Sequence, residues 1–515
     1  MATQQAALAK PEVVERGRRS TLGVLRESVV VRLFLTVWLV FAVHASTNVV
    51  RETYLAVTLG DRFSIRVDEY MGLHPDLFEI EGRGAFINNN PGASMLGALP
   101  YVAARPFMAA LFAAKPHLIQ PKPPARYDDP RPNRTRFMNE ARERGVDVKL
   151  GLAALVTQLG LMAPLGAAAA VGVFLFLRAS LHNQRHAFWL ALLYAFGTPV
   201  FFRSAFLNQN LILAHAILAV YLLIAWPVQR PQANQLERWR LIAVGLLLGF
   251  GLVTEYSAIP LILVFVAWLM IRGWQSAGGW RGSMRVAGWI AAGATPPALI
   301  LFAYQWAAFG NPLLPAQAYM PATENSVHGW HGFVLPMPEL LWRNLFDLRY
   351  GLLVFCPMLI LAVAAPFVAG RAGRPTRDQL TLIFAATLAL WLFNSMVRFA
   401  LLQFNTGVRY MVPAVPLLFF AMVPVLLRLP RAWRAVIVAL TVLISWSVSM
   451  ARESVPESLA RIIQHGPELP VITVLQKMSS GYNAPFLQSA AAPSAILALT
   501  AAAIWLLWRR QRLTP

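Results

Sequence analysis

The stretch Leu150–Leu181, LGLAALVTQLGLMAPLGAAAAVGVFLFLRASL, contains a single charged residue, Arg178. A helix crosses the apolar part of a bilayer with about 20 residues, because backbone polar groups in lipid must bond within their own segment. The stretch is long enough for that purpose, and similar stretches recur along the chain. It therefore predicts a membrane-spanning helix in a chain built mainly of such helices.

The composition agrees with this prediction. The chain of 515 residues is 57% hydrophobic and 13% charged, whereas soluble domains are about 25% charged. Its single cysteine, Cys356, excludes an intrachain disulfide. The formal net charge of +21 comes from 45 Lys and Arg against 24 Asp and Glu. In a membrane protein such residues flank apolar segments and set their orientation, so we expect no nucleic-acid partner.

Eleven further apolar runs bring the expected number of spans to about twelve, and we predict an all-α polytopic membrane protein. The runs are Val29–Val50, His186–Phe202, Leu207–Val228, Leu241–Val253, Ser257–Ile271, Val286–Phe309, Gly351–Gly370, Leu380–Val397, Met411–Leu427, Val436–Met450 and Ala490–Trp508. The two runs that flank residues 254–256 are short, and they fit either two helices that meet at a shallow turn or one long broken helix.

Arginine clusters alternate with the apolar runs and predict the orientation, because cytoplasmic loops carry an excess of Lys and Arg. With twelve spans and both termini inside, seven clusters fall on the cytoplasmic side. They are Arg16, Arg18, Arg19 and Arg26; Arg178 and Arg185; Arg230, Arg238 and Arg240; Arg272, Arg281 and Arg285; Arg371, Arg374 and Arg377; Arg428, Arg431 and Arg434; and Arg509, Arg510 and Arg512.

This orientation divides the chain into four parts. Residues 1–28 form a cytoplasmic tail, 29–450 a transmembrane module, 451–489 an external loop, and 490–515 the last span with a basic cytoplasmic tail. The module contains a large external loop at 51–149, and loops of that length are usually functional. The apolar stretch Pro91–Ala114 would invert every later arginine cluster if it crossed the membrane. We therefore predict that it forms a helix along the outer membrane surface.

The external loop is rich in carboxylates that can act as general bases. Residues 61–81 carry six of the 24 acids, among them Asp68, Glu69 and Asp76. A carboxylate beside the membrane can accept a proton from an acceptor hydroxyl. The alternative for each of these acids is a plain hydrated loop position. The stop signal at 88–92, NNNPG, directly follows the acids and holds them near the bilayer surface.

Several motifs in this loop and beyond it resemble those of bacterial GT-C fold membrane glycosyltransferases. The stretch RVDEY at 66–70, Asp76, and NPGASML at 90–96 resemble their Asp-x-Tyr, second Asp and Pro-Gly-x-Ser. Five later stretches resemble further motifs of the family and occur in the same order: GTP at 197–199, LVTEY at 252–256, FGNPL at 309–313, RYGLL at 349–353 and GVRYMVP at 407–413. The resemblance covers roughly residues 30–430 and is to the group of protein O-mannosyltransferases and aminoarabinose transferases.

The resemblance implies transfer of a sugar from a polyprenyl-phosphate carrier to a lipid, glycan or protein acceptor at the external face of the bacterial inner membrane. Asp68 would deprotonate the acceptor hydroxyl and the anomeric carbon would be inverted, with Asp76 orienting the acceptor and Glu69 as the less favoured base. Arginines suit the leaving phosphate because their planar guanidinium binds it bidentately. The external candidates are Arg203, Arg349, Arg398 and Arg409, each with lipid anchoring or a salt bridge as its alternative role. Arg349 and Arg409 are expected to converge on one anion site.

Six further residues are expected to line the substrate cavity: Asn89, Asn90, Glu255, Tyr256, His328 and His331. Glu255 lies within apolar sequence, where an ionisable group indicates a functional site unless it is hydrated or paired at the surface. His328 and His331 resemble half of a metal site, but the sequence offers no third ligand nearby. We expect no tightly bound cofactor and no divalent metal, with the polyprenyl-linked sugar as donor substrate and membrane lipid around the chain.

Two other classes of protein stay open. A transporter or flippase of polyprenyl-linked glycans would concentrate charges near mid-membrane in paired halves, whereas the acids here lie in one external loop. A GT-C-like scaffold without catalysis is the other alternative. Asn90 stands where the family often has Lys or Asp, and Asn210 stands where it often has His.

Overall fold

The computed structural model describes residues 28–129, 132–226, 237–276, 279–368, 375–403, 407–479, 481–482 and 484–509, with no side chains for 132 and 133. Several arginines of the orientation argument lie outside these residues: those before residue 28, Arg230, Arg371, Arg374, Arg510 and Arg512. Which side of the membrane each loop faces therefore stays a prediction.

The all-α prediction is confirmed, since helices dominate the described residues and the two named strands form one hairpin. The strands are β1 (Leu77–Ile80) and β2 (Gly84–Ile87). The main helices are α1 (Val29–Val43), α2 (Arg51–Arg62), α3 (Gly92–Ala114), α4 (Pro132–Glu143), α5 (Asp147–Leu181), α6 (Gln184–Gly197), α7 (Gln209–Ala225), α8 (Arg238–Thr254), α9 (Ala258–Ser276), α10 (Trp280–Phe309), α11 (Pro338–Phe346), α12 (Pro357–Val368), α13 (Arg377–Ser395), α14 (Val412–Arg428), α15 (Arg431–Ala451), α16 (Val455–His465), α17 (Pro470–Lys477) and α18 (Ala492–Trp508). Shorter helical segments are Val200–Arg203, Leu352–Phe355 and Pro485–Gln488.

The chain is a multi-pass membrane protein. Within the described residues, five helices (α3, α5, α9, α10 and α15) are long and apolar enough to cross a bilayer. Shorter apolar helices include α1, α7, α12, α14 and α18. Helix α3 has the length and composition of a span, so its position along the membrane surface stays a prediction.

In two regions the apolar runs fold in a way that the sequence left open or did not predict. Around residue 255 there are two separate helices, α8 and α9, because Glu255 has an extended backbone with φ −161° and ψ 135°. The run at 351–370 is not one α-helix. Leu352–Phe355 is followed by Pro357, which lacks a backbone N–H, and α12 begins there with 3-10 geometry.

The loop at 51–149, predicted to be external, forms a second hydrophobic core beside the bundle. In the hairpin, Leu77 pairs with Ile87 and Phe78 with Phe86. The rings of Phe78 and Phe86 both pack on Phe309, at the C-terminal end of α10, with centroids 6.3 and 5.6 Å away. The loop is therefore folded against the ends of the apolar helices.

Helices α8 and α10 lie in close contact because glycines occupy both sides of their interface. A Cβ atom at Gly245 would lie 2.0 Å from the Ile290 carbonyl oxygen, and one at Gly293 would lie 2.0 Å from that of Ile242. Small residues let helix backbones approach in membranes, where van der Waals contact drives association. This contact fixes α8, whose C-terminal end borders the site described below.

We expect Gly293→Ala to destabilise the protein and Gly288→Ala, on the same helix, to leave it intact. The methyl group at 293 forces α8 and α10 apart, at a cost of about 1–3 kcal/mol in unfolding free energy. An added Cβ at 288 meets nothing within 4 Å, and alanine favours helix by about 1 kcal/mol over glycine. Thermal unfolding of both purified variants in one detergent measures the difference. Equal midpoints would contradict the close contact.

Candidate functional site

The centre of the candidate site is the start of α2, where two oppositely charged residues are buried side by side. Arg51 and Glu52 follow the extended link between α1 and α2, and Glu52 is only 2% exposed. The Arg51 guanidinium donates through Nε to Glu52 Oε1 at 3.2 Å and through Nη1 to Asp76 Oδ2. Arg51 thus lies between two carboxylates, one from its own helix and one from the hairpin.

Asp76 occupies the open end of the β-hairpin. Its Oδ1 accepts a hydrogen bond from Asn88 Nδ2 at 3.0 Å, and its backbone carbonyl accepts one from the Asn88 N–H at 3.1 Å. His74 Nδ1 lies 3.8 Å from Asp76 Oδ2. Burial alone would raise the pKa of Asp76, but the positive charge of Arg51, with smaller effects of His74 and Arg409, holds that pKa below its usual value.

The three asparagines at 88–90 connect the hairpin, α2 and α8. Asn88 bonds Asp76, Asn89 Nδ2 donates to Glu52 Oε1 at 2.7 Å, and Asn90 Nδ2 donates to the Leu252 carbonyl at 2.7 Å. A Cβ atom at Gly92 would lie 2.8 Å from the Val253 carbonyl oxygen, so only glycine fits this close approach. The predicted cavity residues Asn89 and Asn90 are therefore both part of the site.

The break between α8 and α9 brings Glu255 and Tyr256 to the same region. Burial raises the pKa of Glu255, while the charges of Arg409 and Arg51 act in the opposite direction. The Gln209 side chain, at the start of α7, lies beside Glu255 and favours its charged form. The Tyr256 hydroxyl accepts a hydrogen bond from Gln305. Glu255 is thus half-buried beside cations and polar groups of this site.

Two of the four predicted arginines meet at this site. Arg409 donates through Nε to Asn210 Oδ1 at 3.3 Å, and its charge acts on Asp76, Glu255 and Arg203. Arg203 is only 2% exposed. Arg349 is exposed, and its backbone N–H donates to Asp347 at 2.7 Å. The structure thus brings Arg203 to Arg409, and the expected convergence of Arg349 with Arg409 stays a prediction.

The segment around Arg398 contacts the loop that carries the two predicted histidines. The Arg398 N–H donates to the Gly332 carbonyl at 2.9 Å, which joins this segment to the loop of His328 and His331. Both histidines are exposed. No group of three His, Cys, Asp or Glu residues that could hold a metal ion occurs in the part of the chain that the structure describes.

Asp68 and Glu69 lie on the outer side of the loop. Asp68 is exposed, its Oδ2 accepts from Arg66 Nε at 2.9 Å, and its Oδ1 accepts from the Ala85 N–H at 2.6 Å. Glu69 pairs with Arg62 at 2.7 Å and with Lys149 at 3.8 Å. Among the described residues, no hydrogen bond or ion pair joins either acid to Arg409. The structure therefore separates the expected base, Asp68, from the contacts that Asp76 makes.

Sequence reasoning missed Arg51 and Glu52, which form the centre of the site. A signal was present, since two adjacent charges directly follow the first apolar run at its predicted external end. It also assigned no role to Gln209, and it treated Asn210 only as a departure from a family pattern. Their contact with Glu255 and Arg409 depends on residues that are distant in sequence.

No family model and no curated protein sequence matches the chain. Solved structures that are similar to it include two of ArnT. The crystal structure of ArnT from Cupriavidus metallidurans bound to undecaprenyl phosphate matches over 93% of this chain and 75% of its own, with 14% identity and a TM-score of 0.47. The apo-state crystal structure of ArnT from Cupriavidus metallidurans matches over 93% of this chain and 72% of its own, with 16% identity and a TM-score of 0.44.

We expect Asp76→Asn to lower the unfolding free energy by about 1–3 kcal/mol, because the buried Arg51 then keeps one carboxylate instead of two. Asp68→Asn should cost less than about 1 kcal/mol, because its ion pair with Arg66 is exposed. The pKa of Asp76 is lowered in the folded state, so its stabilisation is complete above the ordinary aspartate pKa. It is lost as pH falls through the lowered value.

Thermal unfolding of wild type and both variants between neutral and acidic pH tests this expectation. The difference between wild type and Asp76→Asn should shrink as the pH falls. A difference that stays constant or grows would contradict the ion contact.

Proposed function

We propose that the chain is an inverting glycosyltransferase that moves a sugar from a polyprenyl-phosphate donor to an acceptor at the external face of the membrane. One observation carries the proposal: carboxylates and arginines that are buried or half-buried lie together where the external loop meets the apolar helices. Glu52 and Asp76 supply the carboxylates, and Arg51, Arg203 and Arg409 supply the cations. The order of GT-C-like motifs along the sequence supports the same reaction class.

The reaction needs a base, a phosphate site and an apolar region for the carrier. The base takes the proton of an acceptor hydroxyl, and that oxygen forms a bond to the anomeric carbon. The bond from this carbon to the phosphate oxygen breaks, and polyprenyl phosphate leaves with the electron pair. Arginines that already face the phosphate stabilise its growing charge. The isoprenoid tail lies against the apolar helices, in keeping with a multi-pass membrane protein of the inner membrane.

Glu52 is the carboxylate that we propose as the base. Its Oε1 accepts from Arg51 and Asn89, while its Oε2 accepts no hydrogen bond from any described residue. Asp76 has both oxygens in use, toward Arg51 and Asn88, so we assign it the positioning of Arg51. The oxygens of Asp68 are likewise in use, by Arg66 and the Ala85 N–H, which suits a role in holding β2. A fixed carboxylate with one free oxygen is suited to accept a proton.

Arg409 and Arg203 are the residues that we propose for the donor phosphate. Their side chains lie close enough for their charges to act on one another and on the site carboxylates. Gly407 has φ +75°, and a Cβ there would lie 2.5 Å from the Phe355 ring, so glycine is required for the approach that positions Arg409. The amide of Asn210 orients the Arg409 guanidinium without neutralising it.

Glu52→Gln should abolish most transfer, because the amide keeps the shape but accepts no proton, and loss of a positioned base costs about 10²–10⁴ in rate. Asp68→Asn should retain most activity, and Asp76→Asn should fall between them. Cells that lack the gene, complemented with each variant, are compared by mass spectrometry of lipid-linked sugars and envelope glycans. The inactive variant should accumulate one lipid-linked sugar and lack one glycosylated product.

Normal transfer by Glu52→Gln together with loss in Asp68→Asn would return the base to Asp68. Normal transfer by all three variants would contradict an enzyme whose base is in this loop. A lipid-linked sugar that accumulates only on the cytoplasmic face would favour the flippase alternative.

Arg409→Ala should weaken binding of undecaprenyl phosphate to the purified protein by about tenfold or more, because a charge-assisted contact to phosphate is lost. Arg349→Ala tests whether the exposed arginine belongs to the same site. Arg136→Ala is the control, because Arg136 is an exposed arginine of the same predicted external loop and pairs with Glu140 at 2.8 Å. Titration of the lipid in detergent measures all three. Equal affinities of Arg409→Ala and the control would contradict the phosphate assignment.

A further inference from the structure

Phe206 has two arginines over its ring. The guanidinium carbon of Arg203 lies 5.1 Å from the ring centroid, and that of Arg452 lies 5.0 Å from it. Phe206 is 4% exposed, and it belongs to the turn between Val200–Arg203 and α7. Arg452 follows α15 and comes from the other end of the chain. Two cations from distant segments are therefore held against one buried ring, next to the proposed phosphate position at Arg203 and Arg409.

Arg452 has an unused hydrogen-bond donor. Its Nη1 donates to the Phe202 carbonyl at 3.2 Å, whereas its Nη2 is buried and makes no hydrogen bond to any residue that the structure describes. A buried donor without an acceptor costs about 1–3 kcal/mol, and more if it is charged. A bound group that accepts a hydrogen bond from Nη2 would remove that cost.

The backbone of Arg452 is also unusual. Its φ is +59° and its ψ is 40° at the C-terminal end of α15, a left-handed position that favours glycine. An arginine there carries a steric cost of about 1–2 kcal/mol. The helix end itself does not need a guanidinium, since the Arg452 N–H already bonds the Val448 carbonyl at 2.9 Å. The side chain is thus held in place at a cost to the fold.

The charged groups that act on Arg452 are Arg134 and Glu453. Burial, followed by the positive charge of Arg134, lowers the pKa of the Arg452 guanidinium, with Glu453 acting in the opposite direction. Glu453 is shared with Arg461, 3.8 Å away. The positive charges of Arg409 and Arg452 both act on buried Arg203, and the negative charge of Glu52 acts in the opposite direction. Several arginines close together favour the binding of an anion.

We propose that Arg452, with Arg203 and Phe206, forms a second anion-binding position beside the one at Arg203 and Arg409, and that it takes a phosphate-class group. The proposal rests on the proposed function only in that the first position is the donor-phosphate site. A ligand that fills both positions carries two anionic groups. The second group belongs either to a diphosphate-linked donor or to a phosphorylated acceptor.

The test compares Arg452→Gly with wild type in binding of undecaprenyl phosphate, undecaprenyl diphosphate and inorganic phosphate to the full chain in detergent. Glycine suits the left-handed backbone, so this variant removes the cation without straining the helix end. Arg452→Lys keeps the charge without the planar fork and should show a partial effect. Arg136→Ala is again the control, since Arg136 is exposed and pairs with Glu140 at 2.8 Å, away from Arg452.

For a diphosphate donor, wild type should bind the diphosphate about tenfold or more tightly than the monophosphate, and Arg452→Gly should abolish that preference. For a phosphorylated acceptor, wild type saturated with undecaprenyl phosphate should bind inorganic phosphate in addition, and Arg452→Gly should lose this binding. Both results support the second position.

Unchanged affinities of Arg452→Gly for all three probes, relative to the control, would overturn the proposal. So would a loss of monophosphate binding as large as that of Arg409→Ala, because Arg452 would then belong to the first position. These outcomes are separate from the sugar-transfer assay of Glu52→Gln, which tests the proposed function by itself.

Discussion

Arg51 is buried between Glu52 and Asp76, and the geometry of the loop at 51–149 depends on that arrangement. A buried charge without a partner costs several kcal/mol, so a fold that buries Arg51 must supply carboxylates from both sides. Glu52 is adjacent in sequence and is available at once. Asp76 reaches Arg51 only because the hairpin returns the chain to the start of α2 and Asn88 closes its open end. The position of the hairpin, and with it that of Asn89 and Asn90, follows from this contact.

The membrane-spanning part of the fold was predictable, because lipid imposes length and apolar composition on every helix that crosses it. Each predicted run within the described residues corresponds to a helix, even where Pro357 changes its geometry. The carboxylates of the loop were not predictable in the same way. Asp68 and Asp76 are both short acids in a polar stretch, and only the pairing of β1 with β2 turns one outward and the other toward Arg51.

Contacts between distant segments define the rest of the site. Asn89 bonds Glu52, Asn90 bonds the Leu252 carbonyl, and Arg409 bonds Asn210. No local pattern encodes such pairs, whereas the motif order pointed to Asn90, Glu255 and Arg409 one by one. The asparagines that depart from the GT-C-like pattern have a physical role here. Asn90 ties the loop to the Leu252 carbonyl and Asn210 orients Arg409, and neither amide adds or removes charge.

The balance of those charges links the site to its ligand. Arg51 is matched by Glu52 and Asp76, and burial favours the neutral form of Glu255. The positive charges of Arg409 and Arg452 both repel that of Arg203, while the negative charge of Glu52 acts in the opposite direction. In surroundings of low dielectric constant this repulsion is stronger than in water. An anionic group bound among the three arginines would relieve it, and departure of a phosphate would restore it. The positive charge of these arginines therefore favours a phosphate-bearing ligand, and it stabilises a leaving phosphate as its charge develops.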